Sequence, residues 1–130
     1  MKPINQEITE QEDGDSLRAC VASLLELPIG DVPHFSRSNG QWFVKFSNFI
    51  MGKGYCVLGL GYPDINTITD YTIGGLVIGT VYSKTNSRCR HYVLIDSTTF
   101  KVVHDPNPNK LWQNQIVTVD VLNWLMVCKP

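Results

Sequence analysis

The sequence contains no apolar stretch that approaches the roughly 20 residues of a membrane-spanning helix, so we expect no membrane-embedded segment. The first residues, Met1–Glu7, lack the apolar core of a secretory signal, and we therefore expect a cytoplasmic protein. No internal repeat, low-complexity tract or linker interrupts the chain. Its 130 residues suit one domain, residues 1–130, with a core of its own.

An excess of charge of one sign is also missing, because the net charge is −1 and no long acidic or basic run occurs. Sequence-independent binding to nucleic acid requires a basic surface, so the charge argues against a nucleic-acid partner. Hydrophobic residues make up 43% of the chain and charged residues 18%, a balance typical of a folded globular protein rather than a disordered one.

The four cysteines, Cys20, Cys56, Cys89 and Cys128, form no CxxC pair and show no metal-ligand spacing. We therefore predict no metal site and no cofactor. Cys20 and Cys128 lie in apolar segments, where thiols usually pack as small hydrophobic groups. We expect free thiols, although geometry alone decides whether two of them can form a disulfide.

Hydrophobic periodicity predicts two helices followed by a series of strands. Residues 15–25 carry apolar side chains at helical spacing, and Pro28 ends this first helix. Residues 41–51 are predicted to form a second helix, which Gly52 and Gly54 terminate. The predicted strands cover residues 55–60, 75–82, 90–96, 100–105 and 116–119; residues 121–127 suit a strand or a helical turn, and residues 65–71 a short helix. This order predicts an α+β fold in which the first helix packs on an antiparallel sheet.

Ser16 is the first candidate for chemistry, because it begins the first apolar helical segment. A side chain at that position faces unpaired backbone N–H groups and the positive end of the helix dipole. These features favour a thiolate and can hold the oxyanion of a tetrahedral intermediate, whereas a serine hydroxyl gains much less. The alternative interpretation is that Ser16 simply caps the helix, for which serine is among the best residues.

His91 and Asp105 are the second and third candidates. His91 begins a predicted strand after a polar loop, where it is well placed to act as a general base. Residues 97–99 suit a short turn, and counting outward from it along a hairpin places His91 opposite about Asp105, within reach of a hydrogen bond. His104 points to the opposite face of its strand and is the less suitable partner. The alternative for Asp105 is a capping carboxylate in a rigid turn with Pro106.

Several other residues are candidates to complete a site. Gln6 and Gln11 precede the first helix, and either one is suited to supply the side-chain amide of an oxyanion hole. Trp42 and Phe43 are predicted to form an apolar anchor surface for a bound peptide. His34, in a loop that two prolines hold extended, is predicted to be structural or to lie at the rim of the cleft.

The segment from Asp13 to Pro28, continued by residues 31–35, resembles a family of small papain-like (C39-peptidase-like) proteins that are common in phage and bacterial genomes. The family pattern is an Asn/Asp–Cys pair, two residues, Ala–Cys, and a helix and loop of the form SLLELP…VP.F. A His-led strand and an HDP.P turn follow later in the family, and here they are residues 91–94 and 104–108. The resemblance covers most of the chain.

The resemblance implies a papain-like cysteine protease fold with position 16 as the nucleophile, His91 as the base and Asp105 as the residue that orients it. It also implies that the family's second cysteine, here Cys20, packs in the core. The family has cysteine at position 16, where this chain has Ser16. A deliberate Cys→Ser change is favoured over a natural pseudoenzyme, because the histidine and aspartate positions are intact.

The sequence therefore predicts a cysteine hydrolase that cleaves a peptide or isopeptide bond and that is inactivated here by Ser16. The resemblance also implies a phage protein, for which a role against a host defence component in the host cytoplasm is expected. One alternative is an inactive papain-like module that binds a peptide, a partner protein or a small signalling molecule. Another is an amidase or a transglutaminase-like acyl transferase, whose triad has the same composition.

Overall fold

Helices come first along the chain and strands predominate after them, as the α+β prediction requires. The computed structural model describes residues 1–9, 14–36, 40–60, 71–82, 90–108 and 121–129. The helices are α1 (Ser16–Leu25) and α2 (Trp42–Gly52), and the strands are β1 (Cys56–Leu60), β2 (Leu76–Tyr82), β3 (Arg90–Asp96), β4 (Val102–His104) and β5 (Val121–Cys128). Short 3₁₀ helices lie at Ile29–Asp31 and Ile73–Gly75.

The strands form a single sheet in the order β1-β5-β2-β3-β4, and all neighbouring strands are antiparallel. Helix α1 packs against β3, and α2 packs against β1. The prediction that the first helix packs on an antiparallel sheet is therefore confirmed.

Helix α1 ends where the sequence predicts, and α2 extends one residue beyond its predicted end. After α1, Glu26 adopts a left-handed conformation with φ 56° and donates its N–H to Ala22 O, and Pro28 cannot continue the helix. After α2, Gly54 takes φ 90°, a conformation that glycine adopts without strain. Gly52, which was expected to lie beyond the helix, is its last residue.

Strand β5 resolves the choice that the sequence leaves open for residues 121–127. It lies between β1 and β2 and pairs with both. Its alternate residues enter two different cores: Leu125 and Val127 face the helices, while Trp124 and Met126 face the opposite side of the sheet. Because both faces are buried, the strand lacks the apolar–polar alternation that identifies a half-exposed strand.

The hairpin between β3 and β4 forms with the turn where the sequence predicts it. Phe100 N donates to Asp96 O at 2.8 Å, and Asp96 N donates to Lys101 O at 2.9 Å. The register beyond the turn differs from the prediction, because an irregularity next to Ile95 places His104 opposite Leu94. The ladder ends at His104, so Asp105 lies just past the paired residues rather than within them.

Some predicted features fall outside the described residues. They are the strand over residues 116–119, residues 65–70 of the predicted short helix, Gln11 and Cys89.

Candidate active site

Ser16 is the first residue of α1, and its hydroxyl is joined to the sheet rather than to its own helix. Asp15, not Ser16, occupies the N-cap position. Ser16 Oγ accepts a hydrogen bond from the backbone N–H of Tyr92 at 3.2 Å, across 76 residues of sequence. The interpretation of Ser16 as a simple helix cap is therefore wrong. The contact places position 16 beside the start of β3, because Tyr92 directly follows His91.

The contact with Ser16 lies beyond the end of β4. That strand pairs only with Leu94 and Ile95 of β3 and ends at His104. Nearer the start of β3, the first turn of α1 lies beside the strand instead of β4. There Ser16 Oγ accepts a hydrogen bond from the strand's backbone. This junction brings a helix N-terminus, with its unpaired N–H groups and positive dipole end, to the edge of the sheet.

His91 and Asp105 form a hydrogen bond in the structure. His91 Nε2 donates to Asp105 Oδ1 at 2.7 Å, and Asn107 N donates to the same oxygen at 2.9 Å. The Asp105 side chain is completely buried, while the His91 side chain is 11% exposed. The predicted contact is thus present despite the altered register. With Nε2 bound to Asp105, proton transfer at a nucleophile would fall to His91 Nδ1.

The N-terminal arm completes the surroundings of α1. Ile8 N donates to Asp15 Oδ1 at 2.8 Å, and Asp15 N donates to Ile8 O at 3.2 Å. Farther along the arm, Gln6 N donates to Pro106 O at 2.9 Å. The arm therefore connects the residue before Ser16 to the residue after Asp105.

Gln6 is the one of the two candidate glutamines that the described residues include. It is 8% exposed, and its Nε2 donates to Ile8 O at 2.7 Å. This hydrogen bond holds the Gln6 side-chain amide in place with one of its two N–H groups. The other N–H would be the donor to an oxyanion. Within the described part of the chain, Gln6 Oε1 and Asp105 Oδ2 are buried acceptors without a partner.

Arg18 is a structural element of the site that sequence reasoning missed. Its Nε donates to Val32 O at 2.7 Å and to Ile29 O at 3.1 Å, so it holds the loop after α1. Its Nη1 lies 3.4 Å from Asp15 Oδ2 and from Glu7 Oε1. Because the Asp15 carboxylate is fully buried, it needs such a cation. A lone arginine inside an apolar helical segment was the available signal.

The other two histidines have structural contacts. His104 is buried, and its Nε2 donates to Ile4 O at 2.7 Å, which fastens the N-terminal arm to β4. His34 Nε2 lies 3.3 Å from Gly14 O, next to the chain that enters α1. His34 therefore borders the site, whereas its suggested role in substrate binding stays a prediction.

An aromatic cluster approaches the site from α2. The ring centroid of Trp42 lies 6.3 Å from that of Tyr92 and 5.5 Å from that of Phe43. Phe43 is 42% exposed and Val44 57% exposed, although both belong to a helix that packs on the sheet. Trp42 and Phe43 thus form an apolar surface that extends from Tyr92, and its role as an anchor for a bound peptide stays a prediction.

Cys20 lies one helical turn after Ser16 but is not a substitute nucleophile. The residue is fully buried, as the resemblance implied. Burial, and secondarily the negative charge of Asp105, raise the pKa of the Cys20 thiol well above its ordinary value. The thiolate, which is the reactive form, is therefore strongly disfavoured.

The described residues contain no group of three or more His, Cys, Asp or Glu side chains arranged to hold a metal ion. None of the described helices is long and apolar enough to cross a membrane. No family model, curated protein or solved structure matches the chain.

Proposed function

We propose that the chain has the active-site arrangement of a papain-like hydrolase acting on a peptide or isopeptide bond, with position 16 as the nucleophile position. The hydrogen bond of 2.7 Å between His91 Nε2 and Asp105 Oδ1 is the observation that carries this proposal. A second contact supports it: the residue after His91 binds the hydroxyl at the start of α1. These two contacts link the residues to which we assign the roles of nucleophile position, base and orienting carboxylate.

The proposed reaction is acyl transfer through a covalent intermediate. A thiol at position 16 gives its proton to His91 Nδ1 and attacks the carbonyl carbon of the substrate. The oxyanion is held by backbone N–H groups in the first turn of α1 and by the Gln6 amide. His91 then gives the proton to the leaving amine, and water releases the acyl group by the same steps. Asp105 holds the imidazole in position throughout.

Serine disables this arrangement for two reasons. A hydroxyl is a far weaker nucleophile than a thiolate, and the helix terminus gives it little activation. In addition, Ser16 is only 5% exposed and its oxygen already accepts a hydrogen bond from Tyr92. We therefore expect no measurable turnover by the chain with Ser16.

The substrate that fits the surroundings is an extended peptide with an apolar side chain near the cleaved bond. Trp42 contacts Tyr92, whose backbone touches the nucleophile position, and Phe43 continues the apolar surface outward. Burial of one large apolar side chain on such a surface contributes about 1.5–3 kcal/mol.

The decisive experiment restores the thiol with Ser16→Cys in a Cys56→Ser background, because Cys56 is an exposed free thiol. Iodoacetamide labelling is carried out at pH 6, where an ordinary thiol of pKa about 8.5 is almost entirely protonated. Peptide mapping then identifies the labelled residues. We expect labelling at position 16 to exceed that of an ordinary thiol by on the order of ten-fold or more, because the helix terminus and His91 favour thiolate.

Two matched variants control this experiment. His91→Ala should reduce the labelling rate at pH 6 to that of an ordinary thiol, whereas Asp105→Asn, which keeps an acceptor for His91, should reduce it less. Labelling that is slow at pH 6, or that is equally fast without His91, would overturn the proposal.

A binding module without turnover is the second candidate, and the exposed Phe43, which packs on Trp42 next to Tyr92, favours it. Peptide binding by the chain with Ser16 can be measured by fluorescence anisotropy. Binding that persists in a Ser16→Cys chain showing neither rapid labelling nor peptide cleavage would favour this candidate over the hydrolase.

A further inference from the structure

Two cysteines that are 72 positions apart in sequence lie at neighbouring positions of the sheet. Cys56 is the first residue of β1, and Cys128 is the last residue of β5. The two strands are antiparallel, and Cys56 and Cys128 are directly opposite each other in the register. Both are free thiols in this structure.

The spacing of an antiparallel ladder suits a bond between these two residues. Directly opposed residues have Cα atoms roughly 4.5–5.5 Å apart, and disulfides span Cα separations of roughly 4.4–6.8 Å. Cys56 Sγ already approaches the partner strand, because it lies 3.6 Å from Cys128 O. A bond therefore requires rotation of side chains and no rearrangement of the strands.

The two thiols differ in access to solvent. Cys56 is exposed, whereas Cys128 is 4% exposed and packs in the core on the side of the sheet away from the helices. Burial, and secondarily the adjacent Cys56 thiol, raise the pKa of Cys128. A reagent from solvent therefore meets Cys56 first, and Cys128 is positioned to react only with its neighbour.

We propose that Cys56 and Cys128 form a thiol oxidation site that a low-molecular-weight disulfide, such as glutathione disulfide, converts to an intramolecular disulfide. This inference is independent of the proposed hydrolase activity, because neither cysteine belongs to the candidate active site.

The reaction takes place in two exchange steps. The Cys56 thiol loses its proton, attacks one sulfur of glutathione disulfide and releases one glutathione thiolate, which leaves a mixed disulfide on Cys56. Cys128 then loses its proton, attacks Cys56 Sγ and releases the second glutathione. The protein gives up two electrons and two protons, and the glutathione disulfide is reduced to two thiols.

The Cys56–Cys128 disulfide would link the edge strand β1 covalently to its neighbour β5. Strand β1 lies at one end of the sheet order, with β5 as its neighbour, and α2 packs against it. A disulfide at the first residue of β1 joins residues that are 72 positions apart and thus restricts the unfolded chain strongly. We expect Tm to rise on the order of 10 °C on oxidation.

The test is equilibration of the full chain with reduced and oxidised glutathione at several ratios, followed by alkylation, intact-mass measurement and non-reducing peptide mapping. The expected product is a monomer that has lost two hydrogen atoms, with the Cys56 and Cys128 peptides joined. The Cys56→Ser variant should form no such bond, and Cys20→Ala, which removes an unrelated buried thiol, should leave it unchanged. Repeating the experiment in a Cys89→Ser chain removes the remaining thiol.

Several results would overturn the inference. One is a chain that stops at a mixed disulfide of Cys56 with glutathione while Cys128 stays reduced. Others are a disulfide between two chains or one that involves Cys89. A Tm that does not rise on oxidation, or a rise that dithiothreitol does not reverse, would also contradict it.

Discussion

Replacing Ser16 with alanine should destabilise the fold, because it removes the acceptor that the Tyr92 N–H uses at 3.2 Å. Tyr92 is 3% exposed, so water does not readily replace the lost partner. Loss of a partner for a buried donor costs about 1–3 kcal/mol, and the long, neutral bond here favours the lower part of that range, about 1–2 kcal/mol. Unfolding entropy of about 2.1 cal/mol/K per residue over 130 residues converts this to a Tm decrease of about 4–7 °C.

The assay is urea unfolding monitored by circular dichroism, supported by the thermal midpoint of each variant. Ser47→Ala is the matched control, because the same substitution inside α2 replaces a weaker helix former with a stronger one. It should raise stability by about 0.5 kcal/mol or leave it unchanged. Ser16→Cys should lie between the native chain and Ser16→Ala, since sulfur is a weak acceptor.

Equal urea midpoints for Ser16→Ala and Ser47→Ala would refute this prediction. Such a result would mean that the hydrogen bond from Tyr92 N–H to Ser16 Oγ does not stabilise the fold, and that other contacts hold the start of α1 against β3.

Three further predictions follow from other parts of the structure. Gly79→Ala should lower the free energy of unfolding in urea by about 1–3 kcal/mol, because the new Cβ would lie 2.5 Å from Ile95 Cδ1 in a packed core. Gly59→Ala should cost much less, because its Cβ would lie 3.9 Å from Leu125 Cδ2. Equal costs would contradict the packing argument. The backbone N–H groups of Thr99 and Thr98 donate hydrogen bonds to Asp96 and lower the pKa of its carboxyl group in the folded state. The ionised Asp96 therefore adds its full stabilisation above the unfolded pKa of about 3.9, and this stabilisation is lost as the pH falls through the lower folded pKa. The stability difference between the native chain and Asp96→Ala, measured by urea unfolding at pH 7 and pH 3, should accordingly shrink at the lower pH, and a constant difference would refute this assignment. Phe43→Ser should cost about 1 kcal/mol of stability, because the side chain is 42% exposed but its ring packs against that of Trp42, and it should weaken binding of an apolar peptide about ten-fold; unchanged anisotropy titrations would remove Phe43 from the proposed anchor surface.

The contact between His91 and Asp105 was predictable because a short turn connects the two strands that carry them. A hairpin with a turn at residues 97–99 returns the chain to within a few residues of His91, whatever the details of pairing. The exact register was not predictable from the turn, because β4 has one extra residue, Val103, between the partners of Ile95 and Leu94. The contact survives because Asp105 lies just beyond the end of β4, where the chain leaves the ladder.

Other parts of the site were hidden from sequence reasoning because they join distant segments. Local sequence equally supported Gln6 and Gln11, and the backbone contact of Gln6 with Pro106 is what places it beside Asp105. Arg18 carries no motif, and its role follows from its bonds to Ile29 and Val32.

Local sequence was enough to predict the order of the described helices and strands, the end of α1 and the closeness of His91 to Asp105, because each depends on local periodicity, on turn residues or on a short connection. Tertiary structure alone decided that β5 is a doubly buried strand, that Ser16 binds β3 rather than capping α1, and that Cys56 faces Cys128. The contacts of Ser16 with β3 and of Cys56 with Cys128 join residues that are 76 and 72 positions apart. They depend on which strands become neighbours and on how both faces of the sheet are covered. No local pattern encodes such a pairing, because the same apolar residues would satisfy burial in more than one strand order.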